Sequence, residues 1–125
     1  MIDFENAKLI KLHMVKDTAF DKSIGPILTE GEEICAVFKT IRDGIVFTNK
    51  RAISINVQGV TGSKKCFTTL PYSKVQAFSV ETPGSFDIDA ELCLWFSGGI
   101  GQITFEFDGG ANVTELCRVI SERIL

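Results

Sequence analysis

A β-hairpin over residues 40–57 constrains this chain more than any other stretch of its sequence. In the first strand of the hairpin, Ile45 and Phe47 share one face. Asn49 makes the turn, because Asn tolerates the left-handed backbone that a tight turn requires. In the second strand, over residues 51–57, the side chains of alternate residues share a face. A hairpin of this kind needs further strands beside it to bury its apolar side chains.

The same alternation predicts five further strands. They cover residues 34–39, 64–70, 75–82, 87–97 and 102–108. Glycine- and proline-containing breaks separate most of them, and Pro71 ends the strand before it because proline cannot donate to a sheet ladder. Seven strands at short, regular spacing are typical of an antiparallel sandwich or open barrel.

The chain ends in a segment with helical rather than strand periodicity. Its apolar residues recur at helical intervals: Val113, Leu116, Cys117, Ile120 and Ile124. Asn112 is placed to cap this helix, and Glu115 three residues later completes the pattern of a capping box. We expect the helix to cover the open end of the barrel with its apolar stripe.

The first 28 residues read as a helical extension to a domain that spans residues 29–125. Residues 3–12 predict a short helix with Asp3 as its cap. A second helix begins near residue 17 and ends early, because Gly25 and Pro26 interrupt it. The single histidine, His13, falls between the two helices, where a surface or linker role is the simplest interpretation.

Composition excludes several classes of function. A net charge of −3 and a pI near 5.1 argue against nucleic-acid binding, which needs clustered lysine and arginine. The sequence shows neither a secretory signal nor an apolar run of membrane-spanning length, so we expect a cytoplasmic protein. Its four cysteines are isolated, as expected of free thiols rather than metal ligands.

Several longer runs resemble the bacterial pleckstrin-homology-like family, formerly described as a domain of unknown function. The runs cover residues 41–51, 58–65, 71–73 and 78–95. The resemblance implies two nearly orthogonal antiparallel sheets closed by the C-terminal helix: a mainly β, pleckstrin-homology-like (PH-like) fold of seven strands. It also implies closed homo-oligomeric rings and no enzymatic activity.

The same resemblance directs attention to basic residues near the first turn of the sheet. Pleckstrin-homology domains of eukaryotes hold phosphoinositide head groups there, and Lys39 and Arg42 occupy the corresponding loop, with Lys50 and Arg51 as another basic pair. Phosphate recognition requires several such groups at one point. Asp43 beside Arg42 offers a second interpretation, a local ion pair that stabilises the turn.

An acidic run lies at the end of the fifth predicted strand and along the start of the sixth. Its members are Glu81, Asp87, Asp89 and Glu91. Because the last three alternate along one strand, a solvated face that protects a sheet edge explains them better than a metal site, for which carboxylates must wrap around the ion. Tyr72 and Trp95 suit either the core or an interface.

The sequence shows no catalytic motif, so it predicts a non-enzymatic interaction module without a cofactor. We expect the chain to assemble with itself into a ring, and to contact other proteins, through sheet edges formed by strands such as 51–57 and 64–70 or by the opposite edge. The alternative is weak binding of anionic lipid head groups or phosphate ligands through the loop of Lys39 and Arg42.

Overall fold

The computed structural model describes residues 1–4, 8–84, 89–109 and 111–125. Its strands are β1 (Lys8–Val15), β2 (Ile34–Lys39), β3 (Gly44–Thr48), β4 (Arg51–Gln58), β5 (Lys64–Pro71), β6 (Val75–Glu81), β7 (Ala90–Phe96) and β8 (Gln102–Phe107). Its α-helices are the four-residue α1 (Asp21–Ile24) and the C-terminal α2 (Val113–Ile124). Short 3-10 turns cover Gly25–Ile27 and Tyr72–Lys74.

The described strands form one sheet in the order β5-β4-β3-β2-β1-β8-β7-β6. Consecutive strands from β2 to β5 pair antiparallel, and so do β6, β7 and β8. These two groups contain the seven predicted strands, and the mainly β fold with a C-terminal helix is confirmed. The start of the predicted strand 87–97 includes residues outside the described ones.

Strand β1 corrects the predicted helix over residues 3–12 from Lys8 onward, and residues 5–7 of that prediction lie outside the described ones. It runs antiparallel to β2 and parallel to β8, and so joins the two groups of strands. The pairing with β8 shifts register between Leu9 and Leu12, and Lys11 in this bulge has a φ of 55°. The bulge brings two apolar residues three positions apart onto the core side, a spacing that imitates a helix.

The division of the chain at residue 28 stays a prediction. Strand β1 pairs with β2 and β8, which both lie after that division. The second N-terminal helix is short, as predicted, because α1 ends at Ile24 and a 3-10 turn with Pro26 follows, but it begins at Asp21 rather than near residue 17.

The main core lies on the inner side of the curved sheet. Its largest fully buried side chains include Phe38, Phe47, Phe105 and Phe107, whose rings pack in edge-to-face and tilted pairs at centroid distances of 4.5–6.1 Å. Tyr72 is also buried, and its hydroxyl donates a 2.8 Å hydrogen bond to the carbonyl of Thr48. Of the two aromatic residues left open by the sequence, Tyr72 is therefore a core residue, whereas Trp95 is 37% exposed.

A second, smaller core covers the outer side of β2, β3 and β4. Its buried members are Ile24, Val37, Val46, Ile53 and Ile55, and Phe20 and Leu28 pack against them. The segment from Phe20 to Leu28 thus acts as a lid on the outer face of the hairpin. This explains why β3 is buried along its whole length.

Helix α2 confirms the predicted cap and apolar stripe. The side chain of Asn112 accepts a hydrogen bond from the Glu115 amide at 3.1 Å. Val113, Leu116 and Ile120 are buried in the main core, and the helix packs against β6, β7 and the Tyr72–Lys74 turn. The barrel is closed at this position, as expected from the sequence.

Candidate functional site

The four basic residues predicted to bind a ligand lie in two pairs at opposite ends of the hairpin. Lys39 pairs with Gly44 at the start of β3, and Arg42 lies in the loop between them. Lys50 and Arg51 follow the turn at the far end of β3, five residues away, or about 17 Å along the strand. The structure therefore does not bring the four side chains to one point.

Arg51 forms the most buried ion pair among the described residues. Its Nε lies 2.8 Å from Glu32 Oε2, and the carboxylate side chain is 0% exposed. The guanidinium also donates to the second Glu32 oxygen, to Thr69 Oγ1 and to the carbonyl of Ile27 at 2.8–3.0 Å. Four of its five N–H groups thus bond within the chain, which leaves little for a ligand.

Glu32 is held as a carboxylate by this arrangement. Burial alone raises the pKa of Glu32, but hydrogen bonds from Arg51, the Thr29 amide and the Thr48 hydroxyl outweigh it and lower that pKa to about 2. Lys50 also contacts the same loop: its ammonium group donates hydrogen bonds of 2.8 Å to the Glu30 carbonyl and 3.1 Å to Thr29 Oγ1. These contacts hold residues 29–32 against the hairpin turn.

The loop of Lys39 and Arg42 lies beside the β4–β5 loop, at the other end of the hairpin. Arg42 donates a 2.6 Å hydrogen bond to the carbonyl of Gly59, which connects the two loops. Asp43 accepts from the Val57 amide at 2.8 Å rather than forming the local ion pair with Arg42 that the sequence allowed. The turn is therefore stabilised by bonds across to β4.

Two aliphatic residues stand fully in solvent on these connected loops. Ile41 is 96% exposed and Val60 105% exposed, the highest values for any internal apolar residue in the described part of the chain. Lys39 and Arg42 flank Ile41, and Lys64 and Lys65 follow Val60 at the start of β5. The sequence does not predict that these two loops lie side by side, because no pattern in it relates one loop to the other.

Strands β5 and β6 are the two edges of the described sheet. Each is long, with eight residues in β5 and seven in β6. The middle of each edge is free of charge, Cys66 to Leu70 in one strand and Gln76 to Val80 in the other. An uncharged edge of this length presents unpaired backbone groups to a further strand.

Three carboxylates form a row across the outer face near the β6 edge. Glu81 lies opposite Glu91, and Glu91 lies opposite Glu106 on β8. At the β8 end of the row, Lys8 Nζ lies 3.2 Å from Glu106 Oε1 and forms an ion pair with it. Of the acidic residues chosen from the sequence, Glu81 and Glu91 belong to this row, Asp89 precedes β7 and Asp87 lies outside the described residues.

The free thiols are dispersed through the fold. Cys93 is buried, and Cys35, Cys66 and Cys117 are half-buried. The described residues hold no group of His, Cys, Asp and Glu side chains suited to a metal ion. No helix in the described ranges combines the length and the hydrophobicity that crossing a bilayer demands.

Comparison with proteins of known sequence and structure identifies the family of this chain. The chain is 40% identical over 104 residues to the uncharacterized protein YjqA of Bacillus subtilis, over 82% of this chain and 83% of that protein. It is 30% identical over 103 residues to the uncharacterized protein YozO of the same organism, over 82% and 88% of the two chains.

Among solved structures, the chain is similar to a DUF1696 family protein with a pleckstrin-homology domain from Shewanella loihica. The two share 38% identity with a TM-score of 0.74, over 93% of this chain and 99% of that one. A pleckstrin-homology domain from Shewanella amazonensis shares 40% identity with a TM-score of 0.61, over 89% and 90% of the two chains. The family model described as the bacterial PH domain matches residues 3–124, so this chain belongs to the bacterial PH domain family.

Proposed function

We propose that this chain is a non-enzymatic interaction module that assembles with copies of itself through its two sheet edges. The observation that carries the proposal is the pair of long edge strands with uncharged centres, β5 and β6. Natural sheets protect such edges with charge, proline or a covering element. Here the protecting lysines and Pro71 stand at the ends of β5, which leaves its centre open to pairing.

Pairing of β5 in one protomer with β6 in the next is heterologous, because two different surfaces meet. A heterologous contact closes into a ring when its repeated rotations add up to one full turn without a rise along the axis. We place the assembly in the cytoplasm, in keeping with the free thiols and the sequence. The same edges also suit other proteins that add a strand.

Mass in solution tests this proposal, by light scattering behind a sizing column at several concentrations. We expect a single discrete oligomer that persists on dilution. Phe67 is a 37% exposed residue in the centre of β5, so Phe67→Lys should yield monomers by placing a charge in the edge. Ile41→Lys is the matched control, since it removes an exposed aliphatic residue on the loop and should leave the mass unchanged. A wild-type monomer at micromolar concentration would contradict the proposal.

A second candidate function is contact with an anionic lipid surface through the loop of Lys39 and Arg42. It is favoured by the two exposed aliphatic residues, Ile41 and Val60, at the tips of connected loops with basic neighbours. Aliphatic tips enter the boundary between head groups and acyl chains, while the cations contact the lipid phosphates. Lys50 and Arg51 lie too far along the hairpin to contribute to this surface.

Sedimentation with vesicles of phosphatidylcholine and phosphatidylserine tests the second candidate. Binding should occur at low salt, weaken at high salt and disappear in Lys39→Glu and Ile41→Ser. Lys16→Glu alters an exposed lysine outside the loop and serves as the control of equal charge change. Equal sedimentation of all these proteins would exclude a role for the loop.

A further inference from the structure

A hollow of about 410 Å³ lies where the hairpin turn, the Tyr72–Lys74 turn and the end of α2 meet. Its polar lining consists of Thr29, Glu32, Lys50, Arg51, Ser73 and Arg123. Sites for small molecules in proteins have volumes of about 300–1,000 Å³, so the hollow is large enough for a small organic ligand. All these residues belong to one protomer, and a ligand here therefore does not require the proposed assembly.

Hydrogen bonds hold three of the lining residues around the hairpin turn. The Tyr72 amide donates a 3.1 Å hydrogen bond to the carbonyl of Lys50, which places Ser73 beside the turn. Arg123 Nε donates a 2.7 Å hydrogen bond to the carbonyl of Asn49, the residue before Lys50. Three donor groups that are far apart along the chain thus line one hollow.

The hollow carries an excess of positive charge. Its cations are Lys50, Arg51 and Arg123. Its one carboxylate in the described part of the chain, that of Glu32, is fully buried and bonded to Arg51, so these two charges cancel. Lys50 and Arg123 form no ion pair with any described residue. Two positive charges are therefore left for an anion.

These two cations and a hydroxyl group also have hydrogen bonds left to donate. Lys50 uses two of its three N–H groups, in the bonds to Glu30 and Thr29. Arg123 uses only Nε, so the N–H groups of its two terminal nitrogens have no partner among the described residues. The Ser73 hydroxyl has none there either. The N–H fork of an arginine is suited to two oxygens of one phosphate group.

We propose that this hollow binds the phosphate group of a small phosphate monoester, held by Lys50, Ser73 and Arg123. Such a group carries a charge of about −1.5 to −2 at pH 7 and three acceptor oxygens, which match the two cations and the three donor groups. A carboxylate has one charge and two oxygens, and would leave one donor group unused. The hollow lies at the opposite end of the hairpin from the loop of Lys39 and Arg42, so the two surfaces are separate.

Isothermal titration calorimetry of the full chain with glycerol 3-phosphate tests the site. We expect saturable binding at one site per chain that weakens as salt is added, and no binding of glycerol. Arg123→Gln and Lys50→Gln should each lower the affinity by about tenfold or more, because each removes a charged donor of a hydrogen bond. Ser73→Ala should lower it by about threefold.

Two further variants separate the fork of Arg123 from its charge. Arg118→Gln is the matched control, because it removes the same charge from the same helix at a residue that is 78% exposed and does not line the hollow. It should leave the affinity unchanged. Arg123→Lys keeps the charge without the fork and should recover only part of the affinity lost in Arg123→Gln. Arg123 is exposed, so thermal unfolding of its variants should match that of the wild type.

Vesicles that contain phosphatidic acid distinguish the two sources of a phosphate monoester, a solute and a lipid. Binding of glycerol 3-phosphate without binding of the vesicles would support a soluble ligand. Vesicle binding that is lost in Arg123→Gln and kept in Lys39→Glu would support a lipid head group in the same hollow. Failure to bind either probe, or equal binding by the wild type, Arg123→Gln and Lys50→Gln, would overturn the proposal.

Discussion

At the scale of single residues, the Glu32–Arg51 pair shows why a basic residue next to a turn need not bind a ligand. The carboxylate side chain is 0% exposed and that of Arg51 16% exposed. Removing one partner of such a pair leaves a buried charge uncompensated and destabilises a protein by about 3–5 kcal/mol. We therefore interpret Arg51 as a residue that holds residues 29–32 to the hairpin.

The pKa of Glu32 predicts a loss of stability in acid. This pKa falls from an ordinary value of 4.5 to about 2 on folding, so the contribution is present in full above pH 4.5 and is lost as the pH drops to 2. Its size is about 3 kcal/mol. Urea unfolding of the wild type between pH 6 and pH 2 should show this decline. The decline should be smaller in Glu32→Gln and unchanged in Glu33→Gln, which alters the exposed neighbour. Equal decline in all three proteins would show that the pair contributes nothing.

Gly44 has a role that its position at a strand end does not reveal. A Cβ atom at this position would lie 2.5 Å from two ring carbons of Phe20 and 3.2 Å from the carbonyl oxygen of Phe38. Gly44→Ala should therefore lower the free energy of unfolding by about 1–3 kcal/mol, because the Phe20 ring must move from the outer core. Gly99→Ala is the control, since nothing lies within 4 Å of its added Cβ. Thermal unfolding that is equal in both variants would contradict this packing.

At the scale of elements, β1 is the strand that the sequence did not predict. The hairpin, the capped C-terminal helix and the strand at residues 102–107 follow from periodicity, which local geometry enforces. The first strand does not, because its bulge puts Leu9 and Leu12 at helical spacing and breaks the alternation. Periodicity also carries no information about which strands become edges, so the carboxylate row could not be assembled from sequence.

If β1 joins the two groups of strands, its core residue should matter to the whole sheet. Leu12 is 0% exposed and belongs to the main core. Leu12→Ala should lower the free energy of unfolding by about 2–5 kcal/mol, as expected of a buried leucine. Ile10→Ala, in the same strand but 46% exposed, should change it by much less. Similar values in chemical unfolding would mean that β1 is not integral to the fold.

At the scale of the whole molecule, the two edges of the sheet are different from each other. It begins at β5, which starts with two lysines, and ends at β6 beside a carboxylate row, so its two edges differ in charge. A chain with two unlike edges is suited to joining head to tail. The family fold was predictable from its runs of sequence, but this polarity appears only once strand order is known.

Amide hydrogen exchange of the two edges tests the central claim most directly. If β5 and β6 pair between protomers, outward-facing amides in both strands should exchange slowly in the oligomer. They should exchange rapidly in the monomeric Phe67→Lys variant, while amides of the buried strand β3 stay protected in both. Fast exchange of both edges in the intact oligomer would contradict the account, because the contact between protomers would then lie elsewhere.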